Sequence, residues 1–199
     1  MTEEIRVHLA QDVELARLIE TVDLHEIEKG DDIFGSLVSS IISQQLSVKA
    51  AATIYKRFEQ LIGGLPTPEK LLALTEDELR SVGISRQKTG YLYNIADFFS
   101  LEENRQLPWR ELEDTEVLKK LVSIKGVGEW TVHMIMIFRL GREDVLPVGD
   151  LGIQNGMVKL YGLEGKGKEL HKKMKEIAAP WAPYRSYASR LIWKSLDNE

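Results

Sequence analysis

Apolar residues recur along this chain at spacings of three and four, the pattern of helices that bury one face. Val13, Leu15, Leu18, Ile19 and Val22 predict a first amphipathic helix within residues 5–24. Phe34, Leu37, Val38, Ile41 and Ile42 predict a strongly apolar helix that runs into the polar step Ser43-Gln44-Gln45 before Leu46. Ser47 suits the N-cap of a helix from Val48 to Leu61, and Gly63-Gly64 suits its end. Thr67-Pro68 opens a short helix, and Thr75 with Glu78 makes a capping box for another. Beyond Asp150, LGIQNGMVKLYG reads as a helix that Asp150 would cap. Leu170, Met174 and Ile177 place a lysine-rich helix over 167–178, Pro180-Trp181-Ala182-Pro183 ends it, and YRSYASRLIWKSL forms the last. No stretch alternates apolar and polar with period two between turn signals, so the predicted fold class is all-α.

Two segments share an outline. LRSVGISRQKTGYLYNIADFF (79–99) and LKKLVSIKGVGEWTVHMIMIF (118–138) each run leucines, a glycine turn, a polar step and an apolar helix. Each predicts a helix-hairpin-helix unit, with Gly83 turning the first and Gly126 and Gly128 bracketing Val127 in the second. Glycine suits such a turn because it adopts positive φ freely and lets another backbone approach. The helix after the second turn begins with unpaired N–H groups, a seat for a phosphate. An isolated acid then follows in the loop LPVGD.

Bulk properties narrow the reading. With 199 residues, 43% of them hydrophobic, the chain can bury one sizeable core or two small lobes. No apolar run reaches membrane-span length and the N-terminal segment is charged throughout, so a cytoplasmic protein without a signal peptide is expected. The absence of cysteine excludes disulfides and thiolate-held zinc or iron–sulfur centres, and His8, His25, His133 and His171 lack metal-ligand spacing. The net charge of −5 argues mildly against a nucleic-acid partner. Its distribution matters more: Lys119, Lys120 and Lys125 crowd the hairpin, and a second group spans Lys166 to Lys175, diluted by glutamates.

Taken singly, the candidate residues have ordinary explanations. Asp150 reads as an N-cap or as a carboxylate presented by the Pro147–Gly149 loop, and capping bonds would hold such a carboxylate in place. Trp130 reads as core or as a surface residue beside whatever the hairpin approaches. Trp193, with Tyr184 and Tyr187 on the same helix, reads as core or as an aromatic wall for stacking. Trp181 between prolines reads as a packing anchor. The Gln44-Gln45 step reads as a helix junction or as a loop pushed into a ligand.

Taken together, SLVSSIISQQLSVKAA, the hairpin IKGVGEWTVHMI, the loop LPVGDLGIQNG and the tail PYRSYASRLIW resemble the helix-hairpin-helix DNA glycosylases whose hairpin is followed by a Gly/Pro loop and an aspartate. Within them the chain is most similar to the 3-methyladenine DNA glycosylase II type, over residues 33–196. The resemblance implies one domain over 1–199 with two helical lobes, about 33–140 and 1–32 plus 141–199, and an active-site cleft between them. It implies Asp150 as the catalytic acid, and Trp130, Trp193, Tyr187 and Met134 at the base pocket. It implies DNA contacts from Gln44, Gln45, Leu46, Lys125, Gly126, Val127, Gly128 and Glu129, with Gln45 or Leu46 as the wedge. It implies backbone carbonyls of Val122, Ile124 and Val127 around a Na⁺ or K⁺ ion, with no other cofactor.

The implied activity is base excision repair by a monofunctional glycosylase. It would flip out alkylated purines such as 3-methyladenine and 7-methylguanine and leave an abasic site. Rival readings are a glycosylase for uracil, deaminated or mismatched bases, and a non-catalytic DNA-binding module. The implied partner is damaged double-stranded DNA, met by a monomer at the nucleoid. Two departures from relatives shape the expectation. Lyase-competent members carry a lysine where Trp130 stands, and iron–sulfur members carry four cysteines that this chain lacks.

Overall fold

A computed structural model describes residues 1–27 and 29–197, and all regular structure among them is helical. The helices are α1 (Glu3–Leu9), α2 (Val13–Thr21), α3 (Ile33–Ser43), α4 (Val48–Ile62), α5 (Pro68–Leu72), α6 (Glu76–Ser81) and α7 (Arg86–Ser100). They continue as α8 (Glu102–Arg105), α9 (Asp114–Val122), α10 (Glu129–Ile135), a π-helical turn Met136–Leu140, α11 (Leu151–Tyr161), α12 (Gly167–Ala178), a 3₁₀ turn Ala179–Trp181 and α13 (Arg185–Asp197). None of them is long and apolar enough to cross a membrane. The chain divides into two compact units, Gly30–Ile135 and the remainder, Met1–Lys29 with Met136–Glu199.

In the Gly30–Ile135 unit, α3 is buried on nearly every side, through Ile33, Phe34, Leu37, Val38, Ile41 and Ile42. A helix apolar all round belongs in the middle of a core, and α4, α7 and α10 pack against it. Local chemistry sets the ends. Asp32 caps α3 by accepting from Gly35 N at 2.8 Å. The predicted capping box forms at Thr75 and Glu78, and α4 stops at Gly63, whose φ is 71°. The two sequence-similar segments fold alike: α6–α7 and α9–α10 are each joined through a turn in which one glycine, Gly83 or Gly126, has φ 104°.

In the other unit, α2, α11, α12 and α13 bury Leu15, Ile19, Ile153, Met157, Leu170, Met174, Leu191 and Ile192 around Trp181. The single helix expected within residues 5–24 is two helices. Asp12 breaks it, because a short acidic side chain gains more as an N-cap than inside a helix. Asp12 Oδ1 accepts from the N–H groups of Glu14 (2.9 Å) and Leu15 (3.1 Å) and from Tyr161 Oη (3.0 Å). Its Oδ2 accepts from Trp181 Nε1 at 3.0 Å. The cap of one helix thus satisfies the polar tips of two large aromatic side chains. Trp181, 1% exposed, is the packing anchor its flanking prolines indicated.

The Asp12 network generates a stability prediction. Asp12→Ala strands several donors at once, so urea unfolding should show a loss of about 3 kcal/mol or more. Trp181→Phe removes one bond and the five-membered half of a buried indole, and should cost about 2–3 kcal/mol.

Candidate active site

In the unit of α11 and α13, the loop Glu143–Gly149 delivers Asp150 to the start of α11. Asp150 N donates to Pro147 O at 2.9 Å, closing a turn, and Asp150 Oδ1 accepts from Ile153 N at 2.8 Å as the N-cap. The same oxygen accepts from the indole Nε1 of Trp193 at 2.7 Å. Asp150 is therefore both a cap and an acid held against an aromatic surface. The Trp193 ring continues into that of Phe138, with centroids 5.6 Å apart and planes tilted by 31°.

Two glycines outside the site residues named from the sequence motifs, Gly152 and Gly156, make this contact possible. A Cβ on Gly152 would lie 3.0 Å from Asp150 Oδ1 and 3.1 Å from Trp193 Cδ1. A Cβ on Gly156, one helical turn on, would lie 2.3 Å from Ile192 Cγ2. This Gly-x-x-x-Gly spacing lets α13 approach α11 closely, and it was the available sequence signal. The other end of the loop is tied to the first turn of α13. Arg185 grips Asp144 through Nε–Oδ1 (2.6 Å) and Nη2–Oδ2 (2.7 Å), Ser186 N donates to Glu143 O (2.9 Å), and Val145 N donates to Ser186 Oγ (2.9 Å). The Arg185 guanidinium holds the Asp144 carboxyl below the usual aspartate range.

Tyr187 lies elsewhere on α13. Six residues before Trp193, it sits roughly two-thirds of a turn away around the helix. Its hydroxyl donates to Glu143 Oε1 at 3.2 Å, its ring pairs edge-on with Tyr184 at 6.3 Å, and Arg190 stacks over it at 5.8 Å. Burial and the nearby Glu143 carboxylate push the Tyr187 hydroxyl up. Tyr184 donates to Glu4 Oε1 at 3.0 Å. The structure groups these two tyrosines with each other and places Trp193 with Phe138 and Asp150.

In the Gly30–Ile135 unit, the hairpin between α9 and α10 buries Ile124 and Val127 and exposes Val122, Lys125, Gly128 and Glu129. Trp130, 42% exposed, and half-buried Met134 follow on α10. Positive φ is needed at Gly126 but not at Gly128. A Cβ on Gly126 would lie 2.3 Å from Tyr91 Cγ of α7, whereas one on Gly128 would meet nothing within 4 Å. The two glycines therefore differ in kind: Gly126 serves the fold, and Gly128 keeps an outward backbone bare. Asn94 of α7 fixes the turn by donating to Lys125 O at 3.0 Å.

The polar step after α3 is a tight turn in which Leu46 N donates to Ser43 O at 3.2 Å. Gln45, at its apex, is exposed and has φ 58°, the only positive φ of a non-glycine among the described residues. A side chain held there costs about 1–3 kcal/mol. Half-buried Gln44 precedes it. Leu46 instead lines an open groove of about 350 Å³ with Tyr55, Val48, Ala51 and Ala52. Lys88, which nothing in the sequence pointed to, reaches from α7 and donates to Ile42 O (2.8 Å) and Gln44 O (2.7 Å). Lys88, Tyr91 and Asn94 share one face of α7, so this helix braces both the polar turn and the hairpin. Among the described residues no cluster of His, Cys, Asp or Glu side chains is placed to hold a metal ion.

Residues 38–183 match the HhH-GPD superfamily base excision DNA repair protein model. The DNA-3-methyladenine glycosylase 1 of Schizosaccharomyces pombe is 35% identical over 169 residues, covering 81% of this chain and 72% of that protein. Among solved structures, a DNA-3-methyladenine glycosidase from Bacillus halodurans superposes with a TM-score of 0.81 at 41% identity, covering 98% of this chain and 89% of that one. The Schizosaccharomyces pombe 3-methyladenine DNA glycosylase Mag1 in complex with abasic DNA superposes with a TM-score of 0.83 at 30% identity, covering 98% and 97%. The chain spans 59% of the length of a Bacillus subtilis relative to which it is 30% identical.

The Arg185–Asp144 tie sets a pH prediction. Because the folded-state carboxyl titrates below its unfolded value, the stabilisation is complete above about pH 4 and is lost as pH falls below it. Half-exposure limits its size, so Arg185→Met should cost about 1 kcal/mol in urea unfolding at pH 7. The gap between wild type and variant should narrow progressively as pH falls below about 4.

Proposed function

The chain belongs to the HhH-GPD superfamily of base excision DNA repair proteins, and from that premise we propose that it is a DNA glycosylase removing alkylated purines from duplex DNA. The observation that carries this reading is the Asp150 carboxylate pinned by Trp193 Nε1 at 2.7 Å and by the first turn of α11 at 2.8 Å. An acid with a fixed rotamer beside an aromatic surface suits a reaction in which a nucleobase stacks while its sugar bond breaks.

A base inside the helix is out of reach, so the nucleotide is extruded at a cost of a few kcal/mol. The hairpin grips the backbone through N–H groups, a contact indifferent to sequence and compatible with an acidic chain. The bare backbone at Gly128 supports that role, since nothing of the protein occupies the space before it. The carbonyls of Val122, Ile124 and Val127 are hard oxygen donors of the kind that hold Na⁺ or K⁺. An ion there would add positive charge beside the phosphate.

Alkylation leaves the purine cationic, and an indole face attracts a cation by about 0.5–2 kcal/mol. Trp193, half-buried beside Asp150, supplies such a face. The C1′–N bond breaks with its electron pair leaving on the base, which departs neutral. Asp150 offsets the positive charge developing on the sugar and takes a proton from the water that adds to C1′. The products are free base and an abasic site. With Trp130 standing where lyase-competent relatives have lysine, no amine is offered there for a Schiff base, and the strand stays intact.

Asp150→Asn should lower base release from methylated DNA at least 100-fold, of the order a lost general base costs, while retaining abasic-DNA binding. Near-normal release would refute the assignment of the acid. Trp193→Ala should slow release of cationic 7-methylguanine more than of neutral hypoxanthine, compared by single-turnover rates. Equal losses would leave Trp193 with the positioning of Asp150 alone.

A further inference from the structure

At the end of α4, at the end of α11 and after the π-helical turn, the left-handed positions are glycines: Gly63, Gly162 and Gly141. After α3 the same conformation falls on Gln45, with φ 58°. Glycine would relieve that position at no steric cost, so the fold alone gives no reason for a long polar side chain there. Strain kept against an easy remedy marks a side chain needed for its own sake. Something must also hold the turn in that shape, and Lys88 is placed to do so. Half-buried Lys88 bridges, through its ammonium, the carbonyls of Ile42 in the last turn of α3 and of Gln44 just after it. Burial lowers the Lys88 pKa, so the charge has given up water for these two oxygens.

Resting on the glycosylase reading above, we propose that Lys88 is the positioning residue of the duplex wedge: its clamp on Ile42 O and Gln44 O holds Gln45 at the apex, aimed to enter the space a flipped nucleotide vacates. Gln45, with an amide that can both donate and accept, replaces the lost base-pair contacts of the opposite base. Leu46 lies against the groove beside Tyr55 and stays out of the stack. Because Tyr91 and Asn94 of the same helix face hold the hairpin, α7 also sets the distance between the phosphate grip and the wedge.

The test compares one alkylated purine opposite its normal partner with the same lesion opposite an abasic position, where no pairing resists extrusion. For Lys88→Met, excision of the paired lesion should fall about tenfold or more, as a displaced positioning group costs, while the unpaired lesion is released within about twofold of wild type. Lys88→Arg should restore most of the loss. A duplex carrying 2-aminopurine opposite an abasic analogue reports wedge entry without chemistry, and its fluorescence change on binding should disappear in Lys88→Met. Gln45→Gly should reproduce the paired-lesion defect while raising the melting temperature. A paired-to-unpaired ratio unchanged in Lys88→Met, or full paired activity in Gln45→Gly, would each overturn the proposal. Wild-type protein releasing neither lesion would instead sink the glycosylase reading, and the 2-aminopurine signal would then decide the wedge by itself.

Discussion

The bond from the Trp193 indole to Asp150 Oδ1 constrains everything around it. At 2.7 Å it requires α13 to run beside the first turn of α11 with no side chain between, which is why Gly152 stands there and Gly156 repeats the allowance one turn later. A hydrogen bond to a carboxylate is worth about 1.5–3 kcal/mol, enough to select one rotamer of an aspartate. It would not by itself order a loop. That order comes from the far end, where Arg185 and Ser186 hold Asp144, Glu143 and Val145. One helix thus fixes the acid loop at both ends, and Pro147 stiffens the stretch between.

The Gly30–Ile135 unit follows a different logic. Its two outward features, the hairpin and the polar turn after α3, are backbone structures whose shape depends on half-buried side chains beneath them. α7 supplies those supports along a single face, with Lys88 under the polar turn and Tyr91 and Asn94 under the hairpin. Backbone amides on rigid supports grip a phosphate without a large basic surface. This reconciles a net charge of −5 with nucleic acid as the proposed partner.

The division of labour between glycines follows from space rather than from sequence motif. Gly126 and Gly128 look equivalent in KGVGE, yet one is forced by φ 104° and a tyrosine ring and the other faces open surroundings. A Gly-x-Gly pattern therefore mixes a folding requirement with a surface left bare, and only the neighbours tell them apart.

Local signals carried most of the architecture. Helical periodicity, the Thr75/Glu78 box, the Ser47 and Asp150 caps and the turn glycines Gly83 and Gly126 act within a few residues of themselves, so the all-α fold and the helix ends that carry such signals were legible from the chain. The short helix Glu102–Arg105 and the π-helical turn Met136–Leu140 carry none and were not. Asp12 has the local form of a cap but lies within a run of apolar residues that reads as one helix. Its partners Tyr161 and Trp181 lie far along the chain. The candidate acid, the hairpin and the polar turn were legible as motifs. Their supports were not: Trp193 reaches Asp150 across 43 residues and Lys88 reaches Gln44 across 44. Periodicity and capping are encoded by neighbours in sequence. Which distant side chain meets a given oxygen depends on how closely helices can approach, and that is settled only when the core packs.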